Sequence, residues 1–395
     1  MRLAKIKAIL MLKGAEFLNM PVPETIIQAG GRGRVGKWCA DKGYKRAIII
    51  ASKSIVKYGV IDKLINSLKK ENIEYFIYSG VTPNPTFKSA KEATELGKKN
   101  EADVVIVIGG GSPIDCSKLA AAAIGSDKKL KDLVGMLKAG KGTLPIVAIP
   151  TTAGTGSEVT AAAVISDEEN HTKHIMLSPK IVPSLAILDS ETMETLPKHV
   201  IAETAFDALD HAIEAYISGY KNNKAEKLAE EAIVAINKVL KPTYDGRKEN
   251  EGYEELLIAS YKAGLAFNKC SLGYAHAFGH RLTELYDYSH GKTLGILLPN
   301  ILEFSKDAIE DKLARLAVIC DLGKALEDNK VLADKFIQRI IQLRKEVGLA
   351  EKCTELKKED YDHIIKAAFK EANSSYAIPK YMTYDEAVEL LGKIR

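Results

Sequence analysis

In the first half of the chain, short unbroken apolar runs alternate with stretches in which apolar residues recur at helical spacing. Four of the runs predict buried strands, because a strand that is covered on both faces shows no polar alternation: Ala47–Ala51, Tyr75–Tyr78, Val104–Ile108 and Ile146–Ile149. Two stretches predict helices: Val56–Lys70 and Phe87–Lys99. Strands that alternate with helices indicate a parallel sheet with helices on both faces, which is typical of nucleotide-binding α/β domains.

From Pro197 onward the pattern is helical. Seven stretches predict helices, and no block of strands separates them: Val200–Ser218, Lys224–Leu240, Tyr253–Ala266, Ala308–Cys320, Asn329–Val347, Tyr361–Ala372 and Tyr384–Leu391. The sequence therefore predicts an α/β dinucleotide-binding domain over residues 1–197 and an all-helical domain over residues 198–395. Residues 1–20, in which basic residues are spread among apolar ones, predict a helical extension rather than a signal peptide.

Composition narrows the class of protein. Apolar residues make up 46% of the 395 residues and charged residues 27%, as in ordinary globular domains. The 56 Lys and Arg residues outnumber the 52 Asp and Glu residues so slightly that the net charge is +4, which argues against a nucleic-acid partner. No apolar run reaches the length of about 18 residues that a membrane span needs. Five scattered cysteines without a CxxC pair favour a reducing cytosol over a disulfide framework.

The segment after Val104–Ile108 has the composition of a phosphate-binding loop. Gly109, Gly110 and Gly111 carry no side chain, so a diphosphate can approach the backbone closely. A helix that begins directly after them offers unpaired N–H groups and the positive end of its dipole to an anion. The fingerprint G-x-G-x-x-G is missing, and a tight turn that merely requires glycine is the alternative interpretation.

The residues that follow the glycines support a helix start. Ser112 suits the N-cap, Pro113 the first helical position and Asp115 the first turn. A second polar loop, Thr151–Glu158, follows the run Ile146–Ile149. Both loops come after strands, at the edge where parallel sheets bind ligands, so together they favour a nucleotide over an isolated turn.

A carboxylate and several histidines in the second half form a candidate metal site. Asp207 and His211 lie one helical turn apart on one face of a predicted helix. His276 and His280 repeat this spacing, and His290 follows in a glycine-containing segment. One Asp with two or three His suits Fe(II), Zn(II), Ni(II) or Mn(II). A lone histidine is more often an ordinary buried or surface residue, but this set holds four of the eight histidines and leaves outside it only His171, His174, His199 and His363.

The order of these motifs resembles the iron-dependent (group III) alcohol dehydrogenases. The most specific pieces are GGGSPID (109–115), PTTAGTGSEVT (150–160), DALDHAIEAY (207–216) and GYAHAFGH with HG (273–280, 290–291). The likeness runs from about Pro21 to Pro299 and weakens in the last hundred residues. It implies a dehydroquinate synthase-like architecture, a homodimer, and reversible hydride transfer between a primary alcohol or aldehyde and NAD(P)(H) with the help of Fe2+ or another divalent ion.

The resemblance also implies residue roles. The family's metal ligands match Asp207, His211, His276 and His290, whereas His280 matches a catalytic position beside the nicotinamide and the substrate. Phe267 matches a position that walls the substrate pocket. The dinucleotide contacts match a further set: Gly109, Gly110, Gly111, Ser112, Asp115, Thr151, Thr152 and Lys173.

The chain departs from the family at the position that contacts the adenosine ribose. Many members that use NAD carry an Asp just after the first strand, and alignment of Ile50–Ser54 with that segment places Ser52 there. A carboxylate repels a 2′-phosphate, whereas serine does not, and Lys53 or Lys57 can attract one. The sequence therefore predicts that the chain prefers NADP over NAD, with Ser52 in contact with the cofactor.

Three further positions of the predicted metal helix are distinctive. Ala205 stands where the family commonly has glycine, and Asp210 lies between the two ligands. At three residues from Asp207, Asp210 is predicted to point away from the ligand face. Glu214, seven residues from Asp207, returns to that face, so we expect it to form a hydrogen bond to a ligand.

Other functions fit parts of the pattern. A glycerol, diol or hydroxy-acid dehydrogenase and a dehydroquinate synthase share the expected architecture, and a non-catalytic nucleotide-binding scaffold protein is the alternative from another class. The pairing of Asp207 and His211 with His276 and His290 favours the alcohol dehydrogenase. If four protein groups bind the metal ion, the alcohol must bind it as a fifth ligand. Fe(II) accepts a fifth ligand more readily than a tetrahedral Zn(II) site does, so this arrangement favours iron.

Overall fold

The computed structural model describes Ile9 and residues 12–14, 20–170, 172–246, 249–286 and 288–395, with residues 249–250 described by their backbone alone. The extension predicted at residues 1–20 falls largely outside the described residues, and His171 lies outside them as well. The chain forms two compact units, of which one spans Asn19–Leu196 and the other contains Pro197–Arg395.

The first unit is built on a parallel sheet. Its described strands are, in chain order, β1 (Glu24–Ile27), β2 (Arg46–Ile50), β3 (Glu74–Tyr78), β4 (Val104–Gly109), β5 (Gly135–Met136), β6 (Ile146–Pro150), β7 (Ala162–Asp167), β8 (Thr172–Leu177) and β9 (Leu185–Leu188). Six of them form one sheet in the order β1-β9-β6-β4-β2-β3, and every pairing in it is parallel. The predicted α/β class is therefore confirmed.

Helices cover both faces of this sheet. They are α1 (Val35–Lys42), α2 (Lys53–Lys57), α3 (Asp62–Lys70), α4 (Phe87–Lys99), α5 (Gly111–Ile124) and α6 (Leu130–Leu133). On one face, Val105 of β4 belongs to the same buried cluster as Leu119 of α5. On the other face, Ile106 of β4 belongs to the cluster that contains Leu64 of α3. Successive residues of β4 are thus buried on opposite faces, which explains why the strand reads as an unbroken apolar run.

A smaller sheet in the first unit was not predicted. It has the order β5-β8-β7, with β7 and β8 antiparallel. The segment of β8 begins with Thr172, Lys173 and His174, so its polar residues concealed the strand from a search for apolar runs. This hairpin places Lys173 opposite Ser166.

The prediction of one helix over Val56–Lys70 is wrong. Two helices, α2 and α3, occupy this stretch, and the chain turns between them at Gly59. Gly59 has a φ of +69°, a left-handed conformation that glycine adopts without steric cost. Val60 and Ile61 in the turn are buried, so the apolar pattern continues through the break and conceals it.

The start of α5 also differs from the prediction. The helix begins at Gly111 with Gly110 as its N-cap, so Ser112 is not the N-cap, Pro113 is not the first helical residue and Asp115 lies beyond the first turn. A Cβ atom on Gly111 would lie 2.7 Å from Cγ2 of Thr155. Glycine has no Cβ and avoids this contact, so the helix can begin at Gly111, one residue before Ser112.

The second unit is helical in all of its described elements, which confirms the prediction for this half. The helices are α7 (Lys198–Ile217), α8 (Asn223–Tyr244), α9 (Glu249–Cys270), α10 (Tyr274–Tyr286), α11 (His290–Ile319), α12 (Asn329–Glu346), α13 (Tyr361–Ser375) and α14 (Tyr384–Ile394). The first of these, α7, packs against α8, α9 and α11 and is buried at every residue from Ala205 to Ile217. In the described part of the chain, no helix is both long enough and apolar enough to cross a membrane.

Two helical segments of this unit were missed. The sequence did not predict α10, and it did not predict the part of α11 that precedes a kink at Ile309, where φ is −132° and ψ is 19°. The predicted helix Ala308–Cys320 corresponds to the part of α11 that follows this kink. The early part of α11 is buried on most sides, from Gly291 through Leu302, so it shows no alternation between an apolar and a polar face. His290 is therefore the first residue of a helix, and Ser289 is its N-cap.

Candidate metal centre and anion-binding loops

Three imidazole nitrogens in the helical unit converge on one carboxylate oxygen. Oδ1 of Asp207 lies 3.5 Å from Nδ1 of His211, 3.7 Å from Nε2 of His276 and 3.7 Å from Nε2 of His290. Asp207 and His211 come from adjacent turns of α7, His276 from α10 and His290 from the start of α11. The structure thus brings together the four residues that the sequence predicted as metal ligands.

Aromatic packing holds the imidazole rings in this arrangement. His211 stacks on His276 with ring centroids 4.4 Å apart, and Phe267 stacks on His211 at 4.3 Å. His290 is tilted against His276 at 5.3 Å. Phe267 therefore supports a predicted ligand directly and supplies an apolar surface beside the cluster.

The electrostatics of the cluster reflect its burial. Burial alone would raise the pKa of the Asp207 carboxyl, but the neighbouring His211, His276 and His290 bring it well below the ordinary value. Burial would lower the pKa of His276, but Asp207 and Glu214 raise it well above the usual range. For His290, burial outweighs the attraction of Asp207 and lowers the pKa strongly. The carboxylate is thus ionised and can bind a cation.

The donor atoms fit a divalent metal ion. Among the described residues, Oδ1 of Asp207 and Nε2 of His276 are buried and have no hydrogen-bond partner, which is costly unless another group satisfies them. The ligand atoms of Asp207, His276 and His290 all lie within 4.8 Å of one another. Bonds of about 2.0–2.2 Å at near-tetrahedral angles would separate two ligand atoms by about 3.3–3.6 Å, close to the distances to Oδ1 of Asp207. One oxygen and several imidazole nitrogens suit Fe(II) or Zn(II).

Glu214 holds His276 from the opposite side. Its carboxylate lies 2.7 Å from Nδ1 of His276 and accepts hydrogen bonds from the backbone N–H groups of Gly273 at 2.6 Å and Ala275 at 2.8 Å. A Cβ atom on Gly273 would lie 2.5 Å from Glu214, so this approach requires glycine. The predicted hydrogen bond from Glu214 to a ligand is confirmed, and Nε2 of His276 is left facing Asp207.

Asp210 lies behind the ligand set. Its Oδ2 is 3.6 Å from Nδ1 of His276, so it faces the nitrogen that points away from Asp207. The side chain is fully buried, and neither of its oxygens has a hydrogen-bond partner among the described residues. Burial, and then the charge of Glu214, raises the pKa of Asp210 well above its ordinary value. The prediction that Asp210 points off the ligand face agrees with this geometry.

His280 lies next to the cluster and has a separate carboxylate partner. Its ring stacks on His290 with centroids 5.1 Å apart and an interplanar angle of 12°. Its Nδ1 is 2.7 Å from Oε1 of Glu371 on α13. Glu371 was missed by the sequence, because no local pattern links it to a histidine 91 residues earlier.

The two loops of the first unit pack against each other at the carboxyl ends of β4 and β6. A Cβ atom on Gly110 would lie 3.1 Å from Oγ1 of Thr152, and the N–H of Thr151 donates to the carbonyl of Gly109 at 3.0 Å. Gly110 is extended and provides no side-chain cap for α5. The first turn of α5 therefore keeps its N–H groups free of a side-chain cap, as an anion-binding helix start requires.

Asp115 and Lys118 fasten α5 to the second loop. The carboxylate of Asp115 accepts hydrogen bonds from Oγ of Ser157 at 2.6 Å and from the N–H of Val164 at 2.9 Å. The buried Lys118 donates to Oγ of Ser157 at 2.9 Å and to the carbonyls of Thr160 and Ala162 at 3.0 Å and 2.7 Å. The sequence did not reveal Lys118, because a lysine in a helix is ordinarily exposed. These bonds fix the loop that contains Thr151 and Thr152.

Ser52 and Lys173, the remaining predicted cofactor contacts, lie elsewhere in the same unit. Ser52 follows β2 and is the N-cap of α2, with its hydroxyl 2.9 Å from that of Ser54. Lys53 and Lys57 belong to α2 as well. Ser52 thus lies at the carboxyl end of a strand, on the edge where parallel sheets bind nucleotides. Lys173 belongs to β8 of the small sheet.

A parallel sheet with glycine loops and a helical cluster of one carboxylate and three imidazoles are together typical of a nucleotide-binding metalloprotein. The sequence profile of iron-containing alcohol dehydrogenases matches residues 23–190, and the C-terminal profile of the Fe-containing alcohol dehydrogenase family matches residues 201–394. The chain therefore belongs to the iron-containing alcohol dehydrogenase family. It is a metal-dependent oxidoreductase of alcohols or diols, which confirms the class of enzyme that the resemblance implied but not its restriction to primary alcohols.

Individual relatives match over most of their length. Alcohol dehydrogenase 4 of Schizosaccharomyces pombe is 36% identical over 87% of this chain and 81% of its own. Lactaldehyde reductase of Escherichia coli is 33% identical over 91% of this chain and 95% of its own. The solved structure of an alcohol dehydrogenase from Oenococcus oeni superposes with a TM-score of 0.91 at 30% identity and covers 95% of this chain and 99% of that one.

Proposed function

We propose that the chain oxidises a small primary alcohol to the aldehyde, and reduces the aldehyde in reverse, with NAD(P) as the hydride carrier and Fe2+ as the metal. In the forward direction the carbinol carbon gives up a hydride and the hydroxyl gives up a proton. The observation that carries this proposal is the convergence of His211, His276 and His290 on Oδ1 of Asp207, with Nε2 of His276 buried and unpaired.

Each part of the site has a role in this chemistry. A bound divalent ion would lower the pKa of an alcohol hydroxyl and a nicotinamide would accept the hydride. Asp207 and the three histidines would hold the ion, and Glu214 keeps His276 turned towards it. We infer that His280, beside the cluster, serves as the group that exchanges the proton of the hydroxyl or orients the nicotinamide.

The first unit would bind the cofactor. The proposed diphosphate contacts are the backbone groups at Gly110 and Gly111 and the neighbouring Thr151 and Thr152, because the packed loops leave the start of α5 without a side-chain cap. Both oxygens of Asp115 accept hydrogen bonds within the protein, so its predicted effect on the cofactor would be exerted mainly through the loop it fastens.

NADP as the preferred cofactor, the homodimer and a cytosolic location stay predictions.

The substrate class follows from the surroundings of the cluster. The ring of Phe267, which stacks on His211, places a flat apolar group next to the cluster, and such a neighbour suits a short aliphatic alcohol. The Escherichia coli relative is a lactaldehyde reductase, so a small hydroxyaldehyde or vicinal diol is the second candidate. Glycerol and 2-hydroxy acids are further candidates, because the dehydrogenases that oxidise them share the expected architecture.

The test is a substrate panel with the iron-loaded protein. Short primary alcohols, 1,2- and 1,3-diols, glycerol and 2-hydroxy acids are each incubated with NAD+ or NADP+, and reduced nicotinamide is followed by its absorbance. We expect turnover with short alcohols or diols and none after removal of the metal by a chelator. Turnover that persists in the chelated protein, or none with any member of the panel in either direction, would contradict the proposal.

A further inference from the structure

Glu371 forms the centre of a small hydrogen-bonded group beside the candidate metal site. Its Oε1 lies 2.7 Å from Nδ1 of His280 and accepts a hydrogen bond of 2.5 Å from the hydroxyl of Tyr376. Its Oε2 accepts a longer bond of 3.4 Å from Nη2 of Arg281. Two donors from α10 and one from the residue that follows α13 thus hold one carboxylate in a single orientation.

This arrangement determines which nitrogen of His280 carries the proton. Burial would raise the pKa of Glu371, but the hydrogen bond to His280 and the other donors bring it below its ordinary value. An ionised carboxylate only accepts hydrogen bonds, so Nδ1 of His280 must be the donor. In a neutral imidazole, Nε2 then carries the lone pair and can accept a hydrogen bond.

The second restraint on the ring is its stacking against His290. The two rings are nearly parallel, with an interplanar angle of 12°, and their centroids are 5.1 Å apart. Stacking fixes the plane of the His280 ring, and the bond to Glu371 fixes its rotation within that plane. Together they leave Nε2 with one direction in which to point.

We propose that Glu371 is a positioning residue that sets the tautomer and the orientation of His280 during alcohol oxidation. This proposal rests on the proposed function, because it gives His280 its role in that reaction. Glu371 lies outside the four sequence motifs quoted for the family resemblance, within the region that the C-terminal family profile matches. Glu371 acts through His280 and needs no contact with substrate or cofactor.

The kinetic test compares three variants of the iron-loaded enzyme. Glu371→Leu removes the acceptor, and we expect kcat to fall about 10- to 100-fold, while bound metal and the KM for the cofactor stay within about twofold. Glu371→Gln keeps an oxygen that can accept from Nδ1, so it should retain kcat within about fivefold. Glu284→Gln is the matched control, because Glu284 pairs with Arg281 but not with His280, and it should behave like the wild type.

A spectroscopic readout tests the same proposal without turnover. Nitrogen-15 NMR of histidine-labelled, zinc-loaded protein distinguishes a protonated ring nitrogen from one that carries a lone pair, and a His280→Gln variant identifies the His280 signals. We expect a single tautomer with Nδ1 protonated in the wild type and in Glu371→Gln. Glu371→Leu should give a mixture of tautomers.

The outcomes separate this proposal from the function on which it rests. A wild type without alcohol oxidation contradicts the proposed function, whereas an active wild type beside a fully active Glu371→Leu contradicts only the role of Glu371. A wild type in which Nε2 of His280 is protonated overturns the positioning role even if Glu371→Leu does not fold. A proportional loss of metal and kcat in Glu371→Leu would instead show a structural role and would also overturn it.

Discussion

At the scale of individual residues, a single carboxylate oxygen lies at the centre of the candidate metal site. Oδ1 of Asp207 is the atom on which three histidines converge, and Glu214 aims one of them at it. The sequence predicted that Asp207 and His211 share a helical face because their spacing is one turn. It could not predict Glu371 as a partner of His280, because such contacts depend on how distant helices pack.

Removal of the charge on Glu214 should weaken metal binding. Glu214→Gln keeps the size of the side chain but replaces one acceptor oxygen with a donor. In place of Oε1 the new NH2 group conflicts with the N–H of Ala275, and in place of Oε2 it conflicts with the N–H groups of Gly273 and His276. We expect the affinity for a divalent ion to fall about 10- to 100-fold, measured by competition with a chelator. Glu231→Gln, which removes a partly exposed ion pair with Lys262, is the control. An unchanged affinity in Glu214→Gln would show that His276 needs no carboxylate partner.

Ser52 is predicted to permit the 2′-phosphate of NADP. The wild type should show a higher kcat/KM with NADP+ than with NAD+, and Ser52→Asp should reverse the preference by repulsion of the phosphate. The measurement is initial rates with both cofactors at a fixed alcohol concentration. A wild type with a much higher kcat/KM for NAD+ would refute the prediction, whatever the variant does.

At the scale of secondary structure, the sequence was most informative for the strands of the parallel sheet, which appear as unbroken runs of apolar residues. The unbroken apolar runs predicted β2, β3, β4 and β6 to within one residue. Of these, β2, β4 and β6 lie inside the sheet and are buried on both faces, whereas β3 is a partly buried edge strand. The break at Gly59 was missed because the turn residues are apolar and buried. The start of α11 was missed because a helix that is buried all round has no polar face to reveal its period.

Lys118 should be essential to the loop that follows β6. Lys118→Met leaves the buried oxygens of Ser157, Thr160 and Ala162 without their donor, which should cost about 1–3 kcal/mol of stability. We expect a lower thermal-unfolding midpoint and a severalfold higher KM for the cofactor, with the metal content unchanged. Lys99→Met, at an exposed position of α4, is the control. If Lys118→Met unfolds at the temperature of the wild type, the loop does not depend on this lysine.

Glu158 in the same loop should make stability depend on pH. Burial raises its pKa from an ordinary value of 4.5 to about 7, so between these values the folded chain holds a proton that the unfolded chain releases. This contribution to stability is therefore lost as the pH rises from about 4.5 to about 7.

Glu158→Gln removes this titration. The variant and the wild type should melt at similar temperatures near pH 5, and the variant should melt several degrees higher near pH 8. The exposed Glu168→Gln is the control and should show no such difference. A difference between Glu158→Gln and the wild type that does not change with pH would contradict the assignment of the proton to Glu158.

At the scale of the whole molecule, the chain combines two units that supply different chemistry. The sequence predicted both, since alternating strands and helices differ plainly from continuous helical periodicity. The structure shows how motifs that are distant in sequence come together within each unit. In the first unit, β4 and β6 are neighbours in the sheet, so the loops that follow them are adjacent. In the second unit, α7, α10 and α11 meet at the cluster of Asp207 and the histidines. The small sheet of β5, β8 and β7 escaped prediction: β5 has only two residues, and β8 begins with the polar residues Thr172, Lys173 and His174.

The central claim is that a divalent ion bound by Asp207, His211, His276 and His290 is required for alcohol oxidation. Its most direct test is a titration of metal-free protein with Fe2+ without oxygen, in which bound metal and the rate of alcohol oxidation are measured together. The rate should rise in proportion to bound iron and level off at one ion per chain. His276→Ala should lose both metal and activity, whereas His280→Ala should keep the metal and lose turnover. Full activity in both variants, or a rate independent of bound iron, would contradict the account.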